Sequence, residues 1–163
     1  MKPYHIDEPK DVIELVKNIK TLPTEVMIVL GINEDDCVIY KDNITHKSKK
    51  NSATFSLRDI VKRALNENVE GVIFCHNHTE ISPFPSDYDI KFTNKAKTIL
   101  NQLDIHVYDH LILTRKQYFS FNDLDLINNP IDYDTLFRNF KNDIAESVIT
   151  GENAVAKYVS NYN

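Results

Sequence analysis

Long apolar runs are missing from this sequence. No segment approaches the ~18 consecutive apolar residues of a membrane-spanning helix, and the opening MKPYHIDEPK has no apolar core of a secretory signal. A cytoplasmic chain with no membrane partner is expected. Cysteine is scarce as well: Cys37 and Cys75 lie far apart among apolar neighbours, with no CxxC, which fits buried thiols in a reducing compartment better than a disulfide framework. Excess positive charge is also lacking. A formal net charge of -5 argues against nucleic-acid binding by overall electrostatics, which needs clustered Lys and Arg. Neither an internal repeat nor a low-complexity tract is present.

What remains is the composition of one ordinary folded domain: 163 residues, 42% hydrophobic and 26% charged. The charge is unevenly spread. Residues 41–63 hold seven basic residues (Lys41, Lys47, Lys49, Lys50, Arg58, Lys62, Arg63) against Asp42 and Asp59. Residues 119–163 reverse this, with seven acidic residues against Arg138, Lys141 and Lys157. The plain reading is a solvated basic loop and an acidic helical tail; the other is a basic region open to nucleic acid or an acidic partner.

Val12, Leu15, Val16 and Ile19 recur at helical spacing, predicting a helix over about 8–20 with Asp7 as its cap and Pro23 beyond its end. EVMIVLGI (25–32) and CVIYKD (37–42) are β-branched runs around a turn, hence a hairpin, followed by a polar Lys-rich loop. Ser56 and Asp59 read as a capping box opening a helix through Leu65, and GVIFC (71–75) as a buried strand. HNHTEISPFPSDYD (76–89) is a loop at the carboxyl end of that strand, where open sheets carry their chemistry. A helix over 86–103, strands over 105–114 and 117–121, and terminal helices over 131–148 and 152–161 complete the chain. The expected class is α/β: a mixed sheet with helices on both faces.

Within the loop, His76 and His78 are separated by one residue in extended chain, so both imidazoles project to one side. Asp89, eleven residues after His78, can return a carboxylate to them from the first turn of a helix. Two imidazoles and a carboxylate suit zinc and leave its fourth position to water, as in catalytic sites. Each residue also has a plain reading. The histidines could end a strand in solvent, Ser86 and Asp89 also make a capping box, and Glu25 could be a surface residue at a strand start. Cys75 should point into the core, opposite both rings. His106, Asp109 and His110 read as satisfied structural residues, with Asp109 across the strand from the two histidines.

CHNHTEISPFPSDYD resembles the JAMM motif of MPN-domain metalloproteases, above all its RadC branch, in which HNHPSG is followed by PSxxD. His76, Asn77, His78, Pro85, Ser86 and Asp89 fall in register, and the similarity spans roughly residues 20–121. Residues 56–74 resemble the helix and strand before the motif, Asp109 and His110 its DH pair, and Ser120 and Phe121 its SF ending. The resemblance implies a JAMM/MPN (cytidine-deaminase-like) domain over 1–125, including the N-terminal helix, with an acidic helical extension over 126–163. It also implies zinc on His76, His78 and Asp89, Glu25 as the base that takes a proton from water and passes it to the leaving amine, and Ser86 as an oxyanion donor. Hydrolysis of a peptide or isopeptide bond in a protein or peptide substrate follows as the implied activity. The runners-up are a DNA-associated protein or metal-dependent nuclease using the basic region 41–63, and a non-catalytic MPN interaction module. Two departures stand out: Thr79, Glu80 and Ile81 replace the family's Pro-Ser-Gly, and a single-domain member without the upstream helix-hairpin-helix region of full-length RadC proteins is expected.

Overall fold

The computed structural model describes residues 3–47, 53–151 and 153–162. Lys49, Lys50 and Glu152 therefore lie outside the described residues. A seven-stranded mixed sheet, in the order β1-β3-β2-β6-β7-β8-β9, organises the chain. Its strands are β1 (Tyr4–His5), β2 (Met27–Ile32), β3 (Cys37–Asn43), β6 (Gly71–Asn77), β7 (His106–Leu113), β8 (Gln117–Ser120) and β9 (Ser160–Asn161). Strands β6 and β7 are parallel and joined through α3 (Asp87–Asn101), whereas their neighbours pair antiparallel.

The expected hairpin is β2 and β3, and the strand expected over 71–75 runs on to Asn77 because Met27 pairs with His76 and Leu113 with Asn77. His76 therefore belongs to the strand and not to the loop. Alternation along β6 sends Val72 and Phe74 to one face and Ile73 and Cys75 to the other. The first face is covered by α2 (Leu57–Glu67), α3 and α4 (Tyr133–Thr150), which contribute Ile60, Ala64, Ile90, Ala96, Leu100 and Leu136. The second is covered by α1 (Pro9–Val16) through Val12, Ile13 and Val16. Helices on both faces of a mixed sheet are the architecture the sequence called for.

Several elements differ from expectation. The first helix becomes a 3-10 turn over Lys17–Thr21, and Glu8, not Asp7, is its N-cap. The Asp11 carboxylate accepts from the backbone N–H groups of Asp7 and Glu8, so the first-turn acid does the capping. The Lys-rich loop contains a ribbon of β4 (Thr45–Lys47) and β5 (Ala53–Phe55). Of the basic stretch, Arg63 is paired with Asp42 and Glu67, each at 3.1 Å. The helix expected over 152–161 is one short turn, α5 (Val155–Tyr158), after which the chain joins the sheet as β9. Among the described residues no helix is long and apolar enough to cross a membrane.

Candidate metal centre

The end of β6 and the start of α3 meet on the face of the sheet covered by α2, α3 and α4. His76 is on β6, fully buried, and His78 follows immediately, its backbone N–H still bonded to the Leu113 carbonyl. Asp89 occupies the third position of α3, where the capping box holds it: Ser86 Oγ accepts from the Asp89 N–H at 3.1 Å, and Asp89 Oδ2 accepts from the Ser86 N–H at 2.9 Å. A device that starts the helix thus also aims the carboxylate at the strand.

Asp89 Oδ2 lies 3.0 Å from His78 Nε2 and Asp89 Oδ1 lies 3.2 Å from His76 Nε2. One donor atom from each of the three residues lies within 4.8 Å of the others, the spacing of ligands around a single ion. Burial works against the Asp89 charge, yet the neighbouring His76 and His78 rings hold its carboxyl well below the usual carboxylate range. Burial likewise opposes protonation of His78, but its hydrogen bond to Asp89 and the charges of Asp89 and Glu25 raise its pKa.

His76 Nε2 is the observation that tests the fit of a cation. The nitrogen is buried and makes no hydrogen bond, because Asp89 Oδ1, though close, lacks hydrogen-bond geometry. An unmet buried polar atom of this kind costs about 1–3 kcal/mol. A divalent cation shared with His78 and Asp89 would satisfy it, and two imidazoles with a carboxylate form a donor set such ions accept.

Glu25 reaches the site through its neighbours. Asn77 Oδ1 accepts from the Val26 N–H at 2.8 Å and its Nδ2 donates to the Thr24 carbonyl at 3.0 Å, clamping the chain on both sides of Glu25. Glu25, His78, Ser86 and Asp89 line one cleft of about 620 Å³. Its apolar wall is aromatic, made by Phe55, Phe84, Tyr88 and Tyr133. A second cleft of about 620 Å³ shares His78 and Glu80 with the first and is lined by the cations Lys20, Arg115 and Lys116. All five residues singled out in the sequence therefore lie at one place, three as mutually close donors, two on the cleft wall.

Cys75 is fully buried and packs with the α1 face, opposite His76. Asp109 accepts from Ser120 Oγ at 2.6 Å and from the backbone N–H groups of His110 and Asn122, which ties the end of β8 to β7. Burial pushes its carboxyl up to about 7. His110 has a part that sequence reasoning missed: its Nε2 lies 2.7 Å from His76 Nδ1. Asn77 was missed too. The signals were the DH pair for the first and the residue between two ligands for the second.

The RadC-like JAB domain model matches residues 6–126. The chain belongs to the RadC-like JAB family. Similar proteins include a UPF0758 protein of Clostridium perfringens, 32% identical over 123 residues that make up 75% of this chain and 54% of the relative. A UPF0758 protein of Pseudoalteromonas translucida is 37% identical over 113 residues, 69% of this chain and 50% of that protein. One from Flavobacterium johnsoniae is 34% identical over 124 residues, 76% and 54% respectively. The chain spans about half the length of these curated relatives. The matched segment of this RadC-like protein ends at 126, so Tyr133, on the cleft wall, comes from the part beyond it.

Proposed function

We propose that this RadC-like domain is a zinc-dependent hydrolase of peptide or isopeptide bonds. The observation that carries the reading is the buried His76 Nε2 without a hydrogen bond, facing a carboxylate and a second imidazole at the mouth of a cleft. His76, His78 and Asp89 would hold the ion, which when bound supplies Lewis acidity and makes a water acidic enough to lose a proton near neutral pH. Glu25 lies on the cleft wall and is outside the donor cluster, the placement of a base that takes the water's proton and delivers it to the leaving amine. Ser86 Oγ accepts from the Asp89 N–H, so its own proton remains to be donated to an oxyanion in the cleft.

The paired clefts suit an extended chain laid across His78, with an apolar side chain against the aromatic wall and an acidic stretch toward Lys20, Arg115 and Lys116. Phosphodiester cleavage has less support: Arg63 of the basic region is already paired with two carboxylates.

The test is metal analysis followed by turnover. Purified protein should carry about one zinc per chain, which His78→Ala loses, as expected for a three-ligand site. A mixed peptide library should gain new termini by mass spectrometry with the parent and none with Glu25→Gln. Zinc-free parent protein after zinc supplementation, or metal-dependent cleavage of DNA in place of peptides, would overturn the proposal.

A further inference from the structure

We propose that His110 and Thr93 are positioning residues that fix the ring orientation and tautomer of His76, leaving its Nε2 lone pair bare toward the cation. The inference rests on the metal reading of the site. Four contacts carry it, and they close a ring. Asp89 Oδ1 lies 3.2 Å from His76 Nε2, and His76 Nδ1 lies 2.7 Å from His110 Nε2. His110 Nδ1 lies 2.6 Å from Thr93 Oγ1, which lies 2.7 Å from the Asp89 carbonyl. The cycle ties β6, β7 and α3 together behind the donor cluster, with His76, His110 and Thr93 each at most 1% exposed.

Only one proton arrangement satisfies the three contacts behind the donor cluster, and it leaves the fourth, between Asp89 Oδ1 and the bare His76 Nε2, as two acceptors that a cation would satisfy. A carbonyl oxygen can only accept, so the Thr93 hydroxyl proton points to Asp89. Thr93 Oγ1 must then accept from His110, which places a proton on His110 Nδ1. His110 is fully buried among aromatic rings, with Phe121 stacked at 4.8 Å and Phe74 edge-on at 5.8 Å. Such surroundings keep the imidazole neutral with one N–H, leaving Nε2 bare. His76 Nδ1 is therefore the donor at 2.7 Å, and His76 Nε2 carries no proton. The hydroxyl of Thr93, four residues after Asp89 on α3, thus decides which nitrogen of His76 carries the proton. In the reverse arrangement the Thr93 oxygen and the Asp89 carbonyl would face each other at 2.7 Å with no proton between them, and His76 would present an N–H to the cation.

The experiment has two readouts besides activity. Long-range proton–nitrogen NMR of the metal-free parent should show His76 protonated on Nδ1 and bare at Nε2; a proton on Nε2 overturns the inference. Zinc affinity by chelator competition should fall roughly ten- to hundred-fold in Thr93→Val, which keeps the shape and loses the hydroxyl, as for other residues that orient a ligand. Thr93→Ser should bind close to the parent. Equal affinity of the valine variant and the parent, or an equal loss in the serine variant, also overturns it. Should Thr93→Val fail to fold, the NMR measurement on the parent decides. Failure of the parent to bind zinc would remove the metal reading, while the tautomer would still report whether Thr93 and His110 set the proton.

Discussion

Asn77 stands between the two imidazoles in sequence and, by strand alternation, on the other side of the sheet in space. Its amide is fully buried, and both its ends are spent on the backbone of residues 24–26. Asn77→Ala leaves the Val26 N–H and the Thr24 carbonyl without that partner, at a cost of about 1–3 kcal/mol. Glu25 is then free to leave the cleft, while the Met27–His76 pairing still holds the donor cluster. The expected outcome is a lower urea midpoint and a strong loss of peptide turnover with zinc affinity near that of the parent. Unchanged turnover would show that Glu25 is held by something else. The residues of the donor cluster were legible in the sequence because His76, His78 and Asp89 lie close along the chain, and capping chemistry fixes where the helix starts. Asn77 and His110 were not, because what they touch depends on registers between strands. A register shift opposite Val72 and Ile73 takes in an extra residue, Tyr108, on β7 and breaks simple alternation between His106 and His110. That bulge brings His110 opposite Phe74, two residues before His76 and on the same face of β6, and no periodicity announces it.

At the scale of elements, the segment after residue 126 is built into the site. Phe84, on the loop between His78 and Asp89, packs at 4.7 Å from Phe140 and 6.3 Å from Phe137, both on α4, and at 6.3 Å from Tyr158 on α5. Phe140 meets Tyr158 edge-on at 5.0 Å, and Tyr133 stacks on Phe137 at 5.6 Å. Aromatic contacts of this geometry add to burial. Phe140→Ala should lower stability by about 1–3 kcal/mol and loosen Phe84 and the aromatic wall. Peptide KM should rise while zinc stoichiometry is kept. Equal KM in variant and parent would show that α4 merely covers the sheet. The long elements were readable because each buries one face whose period the sequence displays: Ile60 and Ala64 on α2, alternating Val72 and Phe74 on β6. The short ones were not. Residues 160–161 are a strand only because Gln117 and Tyr118 on β8 pair with Asn161 and Ser160. Two residues carry no pattern of their own, and the helix expected over 152–161 runs through them.

For the molecule as a whole, the buried Asp109 sets a pH dependence whose sign differs from that of ordinary carboxylates. Burial raises its pKa from 3.8 to about 7, against the hydrogen bonds from Ser120, Asn122 and His110 and with help from the charge of Asp123. The folded state therefore holds a proton that the unfolded chain releases near pH 4. The contribution is full below that point and is lost as pH rises toward about 7, a span worth roughly 4 kcal/mol. His110 works the other way over part of the range: burial pushes its pKa well below 6.5, so the stability it contributes is present above that value and lost on acidification. Asp89, held low by the histidines, matters only in stronger acid. Parent curves alone would blend these trends, and Asp109→Asn separates them because the amide resembles the protonated acid and does not titrate. Urea unfolding of both proteins from pH 4 to 8 should show the asparagine variant gaining on the parent up to about pH 7 and holding a constant difference above it. A difference that is flat across the whole range would mean that Asp109 is ionised in the folded protein at every pH tested, with the three hydrogen bonds outweighing its burial.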